Sequence, residues 1–173
     1  MILTGSAIVQ ARKNGALVIE PFESANIGPN SYDFRLGNRC KTYRSSILDT
    51  HKMNEVDEFI IPEDGLVLCP RKIYLVNTLE TMGSTEYVPI IKGRSSIGRL
   101  GLFINITADL IDIGSINQWT LQLHCVAPVR IYPGMLIGQV TFWKVHGRVE
   151  FYNGKYSRKP SPVESLAFLD ANV

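Results

Sequence analysis

Short runs of β-branched and aromatic residues, separated by turn-forming dipeptides, are the feature that most constrains how this chain can fold. The run "SYDFRLG" follows a turn at residues 28–30, "EFIIPEDGLVLC" folds about Asp64-Gly65, and "VRIYPGMLIGQVTFWKV" bends at Pro133-Gly134. Parts of "GLFINIT", "WTLQLHCV" and "GQVTFWKV" alternate as half-buried strands do. The pattern predicts an all-β fold, a barrel or jelly roll.

Two short helices are predicted at the ends of this β-rich sequence. The first covers residues 6–14, with Ser6 as its N-cap and the following glycine as its stop. The second begins at "SPVE", where Ser161 is the cap, Pro162 suits the first helical position and Glu164 completes a capping box.

Composition limits the class of protein. The chain has 173 residues, of which 45% are hydrophobic and 20% charged, so we expect one globular domain over residues 1–173. A net charge of +2, spread along the chain, argues against a general nucleic-acid or membrane surface, so anion binding should be local. The sequence shows neither a leader peptide nor a membrane-length apolar run, which predicts a cytoplasmic protein.

The three cysteines predict neither a disulfide framework nor a zinc site. Cys40, Cys69 and Cys125 are odd in number, widely separated and never in a C-x-x-C pair. We expect all three to be buried thiols.

The stretch "KGRSSIGRLGL" is the strongest candidate for binding chemistry. It places two serines between two arginines in a frame of glycines. Guanidinium groups and hydroxyls that converge from one short loop form a receptor for phosphate oxygens. The alternative is an ordinary solvated loop, since Arg, Ser and Gly are also common there.

Six separated motifs resemble those of the dCTP deaminase family, within the dUTPase superfamily. They are "GPNSYDFRLG", "GRSSIGRLGLFINITA", "ID-G", "WTLQL", "YPGMLIGQ-TF" and "Y--KY", and they follow the family's order and spacing nearly from end to end. The resemblance implies a distorted jelly roll of the dUTPase-like type that assembles as a homotrimer, with active sites between subunits. It further implies deamination of dCTP to dUTP, which supplies dUMP for dTTP synthesis, with dTTP as a candidate inhibitor.

The resemblance also assigns roles to residues at both ends of a nucleotide. The triphosphate, which carries the magnesium ion without direct protein ligands, would be held by Arg94, Ser95, Ser96, Arg99, Tyr152 and Lys155. The base and sugar would be contacted by the backbone of Ile106, Thr107 and Ala108 and by Asp112, which in the dUTPase branch orients the attacking water. From the residues alone, Asp112 is also suited to a turn before Gly114.

Residue 122 departs from the family pattern. Family deaminases have a glutamate at this position, and it is the general base that takes a proton from the water attacking C4 of cytosine. This chain has Gln122, whose amide cannot do so. Loss of general-base catalysis slows a reaction by about 10² to 10⁴. Further departures lie at Asp109, Ser115, Asn117 and Lys159, the last of which replaces the family's Gln.

Three functions therefore stay open: a dCTP deaminase with a modified base arrangement, a dUTP or dCTP diphosphatase that uses Asp112, and a non-catalytic nucleotide-binding regulatory trimer. Zinc-dependent deamination is disfavoured because neither H-x-E nor P-C-x-x-C occurs. His124 lies two residues beyond Gln122, on the same strand face, and is a second candidate base; a packed structural histidine is the alternative.

Overall fold

The computed structural model describes residues 1–157 and 162–170. An eight-stranded antiparallel sheet forms most of it, with the strand order β6-β10-β2-β5-β8-β7, β1 pairing with β5 and β3 with β2. A separate pair, β4 and β9, completes the β structure of the described ranges. The strands are β1 Leu17–Glu20, β2 Tyr32–Tyr43, β3 Val56–Ile60, β4 Leu66–Leu68, β5 Tyr74–Ser84, β6 Tyr87–Gly93, β7 Leu102–Phe103, β8 Asn117–Cys125, β9 Val129–Ile131 and β10 Leu136–Lys144.

Residues 104–111, which we call the closing segment, join the two ends of this sheet. At its start, Gln122 N on β8 donates to Ile104 O at 3.0 Å. At its end, Ile91 N on β6 donates to Asp109 O at 2.8 Å, and Leu110 forms a bridge with Ile90. The sheet is therefore nearly closed into a barrel, which confirms the predicted all-β fold.

Alternation along the strands directs one set of side chains into the barrel. On β8, Trp119, Leu121, Leu123 and Cys125 are buried, while the residues between them are half-buried on the other face. The core also contains large side chains from the other strands and from the N-terminal helix, among them Ile8, Tyr32, Phe34, Leu36, Val76, Ile91, Val140 and Phe142.

The strand within "GLFINIT" is short. Only Leu102 and Phe103 pair with β8, as β7. Beyond Ile104 the chain leaves this edge of the sheet to reach β6, so it cannot continue a ladder with β8.

The N-terminal helix is confirmed, but its cap was misplaced. The helix α1 spans Gly5–Lys13, and Thr4 occupies the N-cap position instead of Ser6. Gly5 N donates to Pro29 O at 2.8 Å, and Gly5 packs against the backbone of Gly28 so closely that a Cβ would clash. This anchoring fixes where the helix begins.

The predicted C-terminal helix is wrong. Val163 to Leu166 are irregular, and a single 3₁₀ turn, Ala167–Leu169, follows them. The backbone N–H groups of Val163, Ser165 and Leu166 donate to side-chain oxygens elsewhere instead of forming helical bonds. The predicted cap, Ser161, lies outside the described residues.

The cysteine prediction holds for two of the three thiols. Cys40 and Cys125 are buried, whereas Cys69 is exposed in the turn after β4. No helix in the described ranges is long and apolar enough to cross a membrane.

Candidate functional site

The serine–arginine loop, residues 94–99, is a short and largely exposed turn that is anchored to the core by one buried side chain. The four-residue helix α2, Ser95–Gly98, begins after Arg94 and buries Ile97. Ser95, Ser96 and Arg99 are exposed. Gly101 ends the turn with φ +73°, where a Cβ would meet the side chain of Val126 at 2.2 Å. The loop thus presents hydroxyls and guanidinium groups to solvent on a fixed base.

Asp33 orients the first arginine of this loop. Arg94 forms an ion pair with Asp33, in which Nε and Oδ2 lie 2.9 Å apart and the two side chains are 33% and 22% exposed. The pair holds the planar guanidinium in place, and its N–H donors can still bind another anion. Lys92 forms a second ion pair with Asp109 of the closing segment, which lowers the pKa of that carboxyl.

The three residues predicted to lie along a pyrimidine edge form the middle of the closing segment. Ile106, Thr107 and Ala108 are all exposed. They lie between the hydrogen bonds that fix the segment to β8 and to β6. Their backbone groups are consequently presented by a stretch that is held at both ends.

A cavity of about 340 Å³ opens beside this segment, on the half-buried face of β8. It is lined by Tyr43, Leu75, Ala108, Leu110, Ile111, Ser115, Asn117, Gln118, Trp119, Thr120, Gln122, Tyr156, Val163, Glu164 and Ser165. Its volume falls in the range of pockets that hold small molecules, about 300 to 1,000 Å³. Apolar walls with a few polar groups are typical of such pockets.

Gln122, which occupies the position of the family's general base, lines this cavity. Its Nε2 donates to Thr120 O at 3.2 Å, which fixes the orientation of the amide and leaves Oε1 as its acceptor. Leu75 of β5 is in register with Gln122 and also lines the cavity.

The C-terminal segment, residues 162–166, forms another wall, which sequence reasoning missed. The sequence predicts Glu164 as part of a capping box; instead its Oε2 accepts a hydrogen bond from Lys41 Nζ at 2.8 Å. Tyr43 also lines the cavity, and burial raises the pKa of its phenol. No local pattern in the sequence could have indicated these contacts, because they join positions more than 120 residues apart.

Asp112 lies outside the cavity, in a turn. It is exposed, and its carbonyl accepts from Ser115 N at 3.1 Å, before Gly114 with φ +87°. Ile111, its neighbour, lines the cavity, so the turn borders the site without placing the carboxylate among the lining residues.

Tyr152 and Lys155 lie near this turn. Tyr152 N donates to Ile113 O at 3.0 Å, and Tyr152 lines a smaller cavity of about 190 Å³ together with Ser115 and Asn117. Lys155 is ion-paired with Asp170, which raises the pKa of its ammonium. Lys159 lies outside the described residues.

The second candidate base, His124, lies elsewhere. Its ring packs against Phe103 with centroids 6.2 Å apart, and it is not among the residues that line the cavity. None of residues 94–99 lines either of these two cavities. Within one chain, the predicted phosphate ligands therefore lie apart from the predicted base pocket.

Comparison with known proteins agrees with this fold. Residues 2–145 match the family model described as dCTP deaminase-like. The "dCTP deaminase, dUMP-forming" of Clostridium acetobutylicum is 45% identical over 171 residues, 98% of each chain. The "dCTP deaminase" of Rhodopirellula baltica is 46% identical over 147 residues, 85% of this chain and 74% of the relative.

A solved structure supports the same assignment at the level of the fold. The 2'-deoxycytidine 5'-triphosphate deaminase of Agrobacterium tumefaciens superimposes with a TM-score of 0.67 at 22% identity, covering 84% of this chain and 48% of that one. The chain belongs to the dCTP deaminase-like family.

Proposed function

We propose that this protein is a pyrimidine deoxynucleotide hydrolase that deaminates dCTP and yields dUMP as its end product. The observation that carries the proposal is the cavity between β8 and the closing segment, in a chain that aligns over 98% of its length with a relative named for dUMP formation. Deamination to dUTP is the first step, and cleavage of dUTP to dUMP and pyrophosphate is the second.

The two regions of the site bind different parts of the nucleotide. The serine–arginine loop binds the triphosphate through Arg94, Ser95, Ser96 and Arg99, with charge-assisted hydrogen bonds from the guanidinium groups. Magnesium, bound to the nucleotide and not to these side chains, would help neutralise the charge that develops on the phosphates. The backbone of residues 106–108 and the Gln122 amide contact the base.

The second step uses Asp112. Its exposed carboxylate holds a water for attack on the phosphate chain, and the alternative is that Asp112 only shapes the turn before Gly114. Tyr152 and Lys155 close over the phosphates once Lys155 is released from Asp170.

A complete site requires two neighbouring chains. Since residues 94–99 line neither cavity of one chain, we propose a homotrimer in which the loop of one protomer faces the cavity of the next. Mass measurement in solution tests this, and a stable monomer that turns over nucleotide would contradict it.

A second candidate is a diphosphatase that lacks deamination. The specific observation in its favour is the amide of Gln122, which cannot accept the water's proton and thereby adds about 3 to 5 kcal/mol to the deamination barrier. Cleavage of the phosphate chain by Asp112 does not involve residue 122. The third candidate, a non-catalytic binding trimer, is favoured only by the departures at Ser115, Asn117 and Lys159.

One assay separates the three functions. The protein is incubated with dCTP or dUTP and magnesium, and ammonia, pyrophosphate and monophosphate are measured. The proposal predicts ammonia and dUMP from dCTP. If the protein forms dUMP from dUTP but releases no ammonia from dCTP, it is a diphosphatase. If it forms no product from either nucleotide, it is a binding protein.

A further inference from the structure

The cavity beside Gln122 contains a carboxylate, that of Glu164. Among the described residues that line it, the other titratable side chains are the phenols of Tyr43 and Tyr156, and a phenol is ordinarily a far weaker acid than a carboxylic acid. Neither Asp112 nor His124 lines the cavity. Within the described part of the chain, Glu164 is therefore the one lining side chain that is suited to take a proton from water.

The C-terminal segment is docked so that Glu164 projects over the sheet. Val163 N donates to Thr120 Oγ1 at 2.9 Å, and Ser165 N donates to Tyr43 Oη at 3.0 Å. Thr120 is two residues before Gln122 on the same face of β8. Glu164 is thus fixed between two anchors, one on β8 and one on β2.

Lys41 holds the Glu164 side chain from β2. Their ion pair measures 2.8 Å, and the side chains are only 14% and 17% exposed. Lys41 is in register with Leu75, and Leu75 is in register with Gln122, so the pair and the amide lie along one row across three strands. A partly buried ammonium favours the ionised form of its partner, which is the form that accepts a proton.

We propose that Glu164 is the catalytic base of dCTP deamination in this chain, in the role that Gln122 cannot perform. The inference rests on the proposed function. Glu164 removes a proton from water as the water oxygen bonds to C4 of cytosine, and this proton passes to N3. The carboxylate then takes the proton of the new C4 hydroxyl and transfers it to the exocyclic amine. The C4–N bond breaks, ammonia leaves, and the C4 carbonyl of uracil forms.

Two variants of the full chain separate this role from a structural one. Glu164→Gln keeps the shape of the side chain and removes the base, while Lys41→Met removes the same ion pair and keeps the carboxylate. Ammonia from dCTP and dUMP from dUTP are measured for both, and thermal melting shows whether each is folded. We expect Glu164→Gln to reduce ammonia release by about 10² or more with dUTP cleavage retained.

The pH profile gives the second readout. Glu164 is faced by Lys41 from β2, by Glu58 from β3 through Lys41, and by the Tyr43 and Tyr156 phenols. Removing the ammonium disfavours the ionised carboxylate, so Lys41→Met should retain deamination and move the acid limb of its profile to higher pH.

Each remaining outcome overturns the inference. Equal ammonia release by wild type and Glu164→Gln leaves the proposed function intact and removes Glu164 as the base. Equal loss of both activities in both variants makes the ion pair a structural anchor. Wild type that cleaves dUTP but releases no ammonia from dCTP removes the deamination step as well.

Discussion

The serine–arginine loop and the cavity beside Gln122 are built in opposite ways. The loop is six consecutive residues, exposed and cationic, with Arg94 oriented by Asp33. The cavity is assembled from strands, the closing segment and the C-terminal segment, and its walls are mainly apolar around the Glu164 carboxylate. A continuous motif such as the loop needs little more than its own turn to present its side chains, whereas the proposed base pocket depends on the whole barrel being formed.

The largest expected effect concerns the base pocket. In the Glu164→Gln background, Gln122→Glu should raise ammonia release from dCTP by about 10² or more, because it returns a carboxylate to the cavity at nearly constant volume. Gln122→Ala in the same background is the matched control and should give no increase. An equal rate in both double variants would mean that residue 122 does not face C4.

The next effect belongs to the loop. Arg99→Ala should weaken triphosphate binding by about 10- to 150-fold, since a hydrogen bond to a charged group contributes about 1.5 to 3 kcal/mol. Deoxycytidine binding should not change, and Ser96→Ala should act in the same direction more weakly. Arg44→Ala, which removes an exposed arginine that follows β2 and pairs with Asp57 of β3, is the control. Equal losses for nucleoside and triphosphate would show that the loop maintains the fold.

A mixing experiment tests whether the two regions come from different chains. Arg99→Ala and Glu164→Gln are unfolded together and refolded at equal concentration, and ammonia release is compared with that of each variant alone. If each site joins two protomers of a homotrimer, about a quarter of the sites receive one intact loop and one intact cavity. Activity that stays at the level of the separate variants would place both regions in one chain.

The smallest expected effect is a difference in reactivity between the exposed thiol and the two buried thiols. Burial raises the pKa of the Cys40 thiol to about 12 and also raises that of Cys125, so both stay protonated and unreactive near neutral pH. We expect one fast-reacting thiol in the native protein, that of exposed Cys69, and Cys69→Ser should remove it with activity unchanged. Three fast thiols would show that the barrel opens readily.

Sequence reasoning was strongest where the signal is local. Turn dipeptides and alternation predicted the all-β fold, and the family motifs drew attention to Gln122, which lines the cavity. It failed for the C-terminal segment, where Ser161, Pro162 and Glu164 form a good capping pattern. Tyr43 and Thr120 offer acceptors for the backbone there, and a lysine on β2 offers an ion pair to Glu164, so tertiary contacts override the local preference for a helix.

The closing segment should tolerate little change in its own length. Its ends are bonded to opposite edges of one sheet, and the residues that would meet the base lie between them. An insertion or deletion within residues 105–108 would displace those backbone groups or separate the two edges. Surface connections usually accept changes in length, but this one should not. Functional variants recovered from a random insertion library should therefore carry no insertions in this stretch.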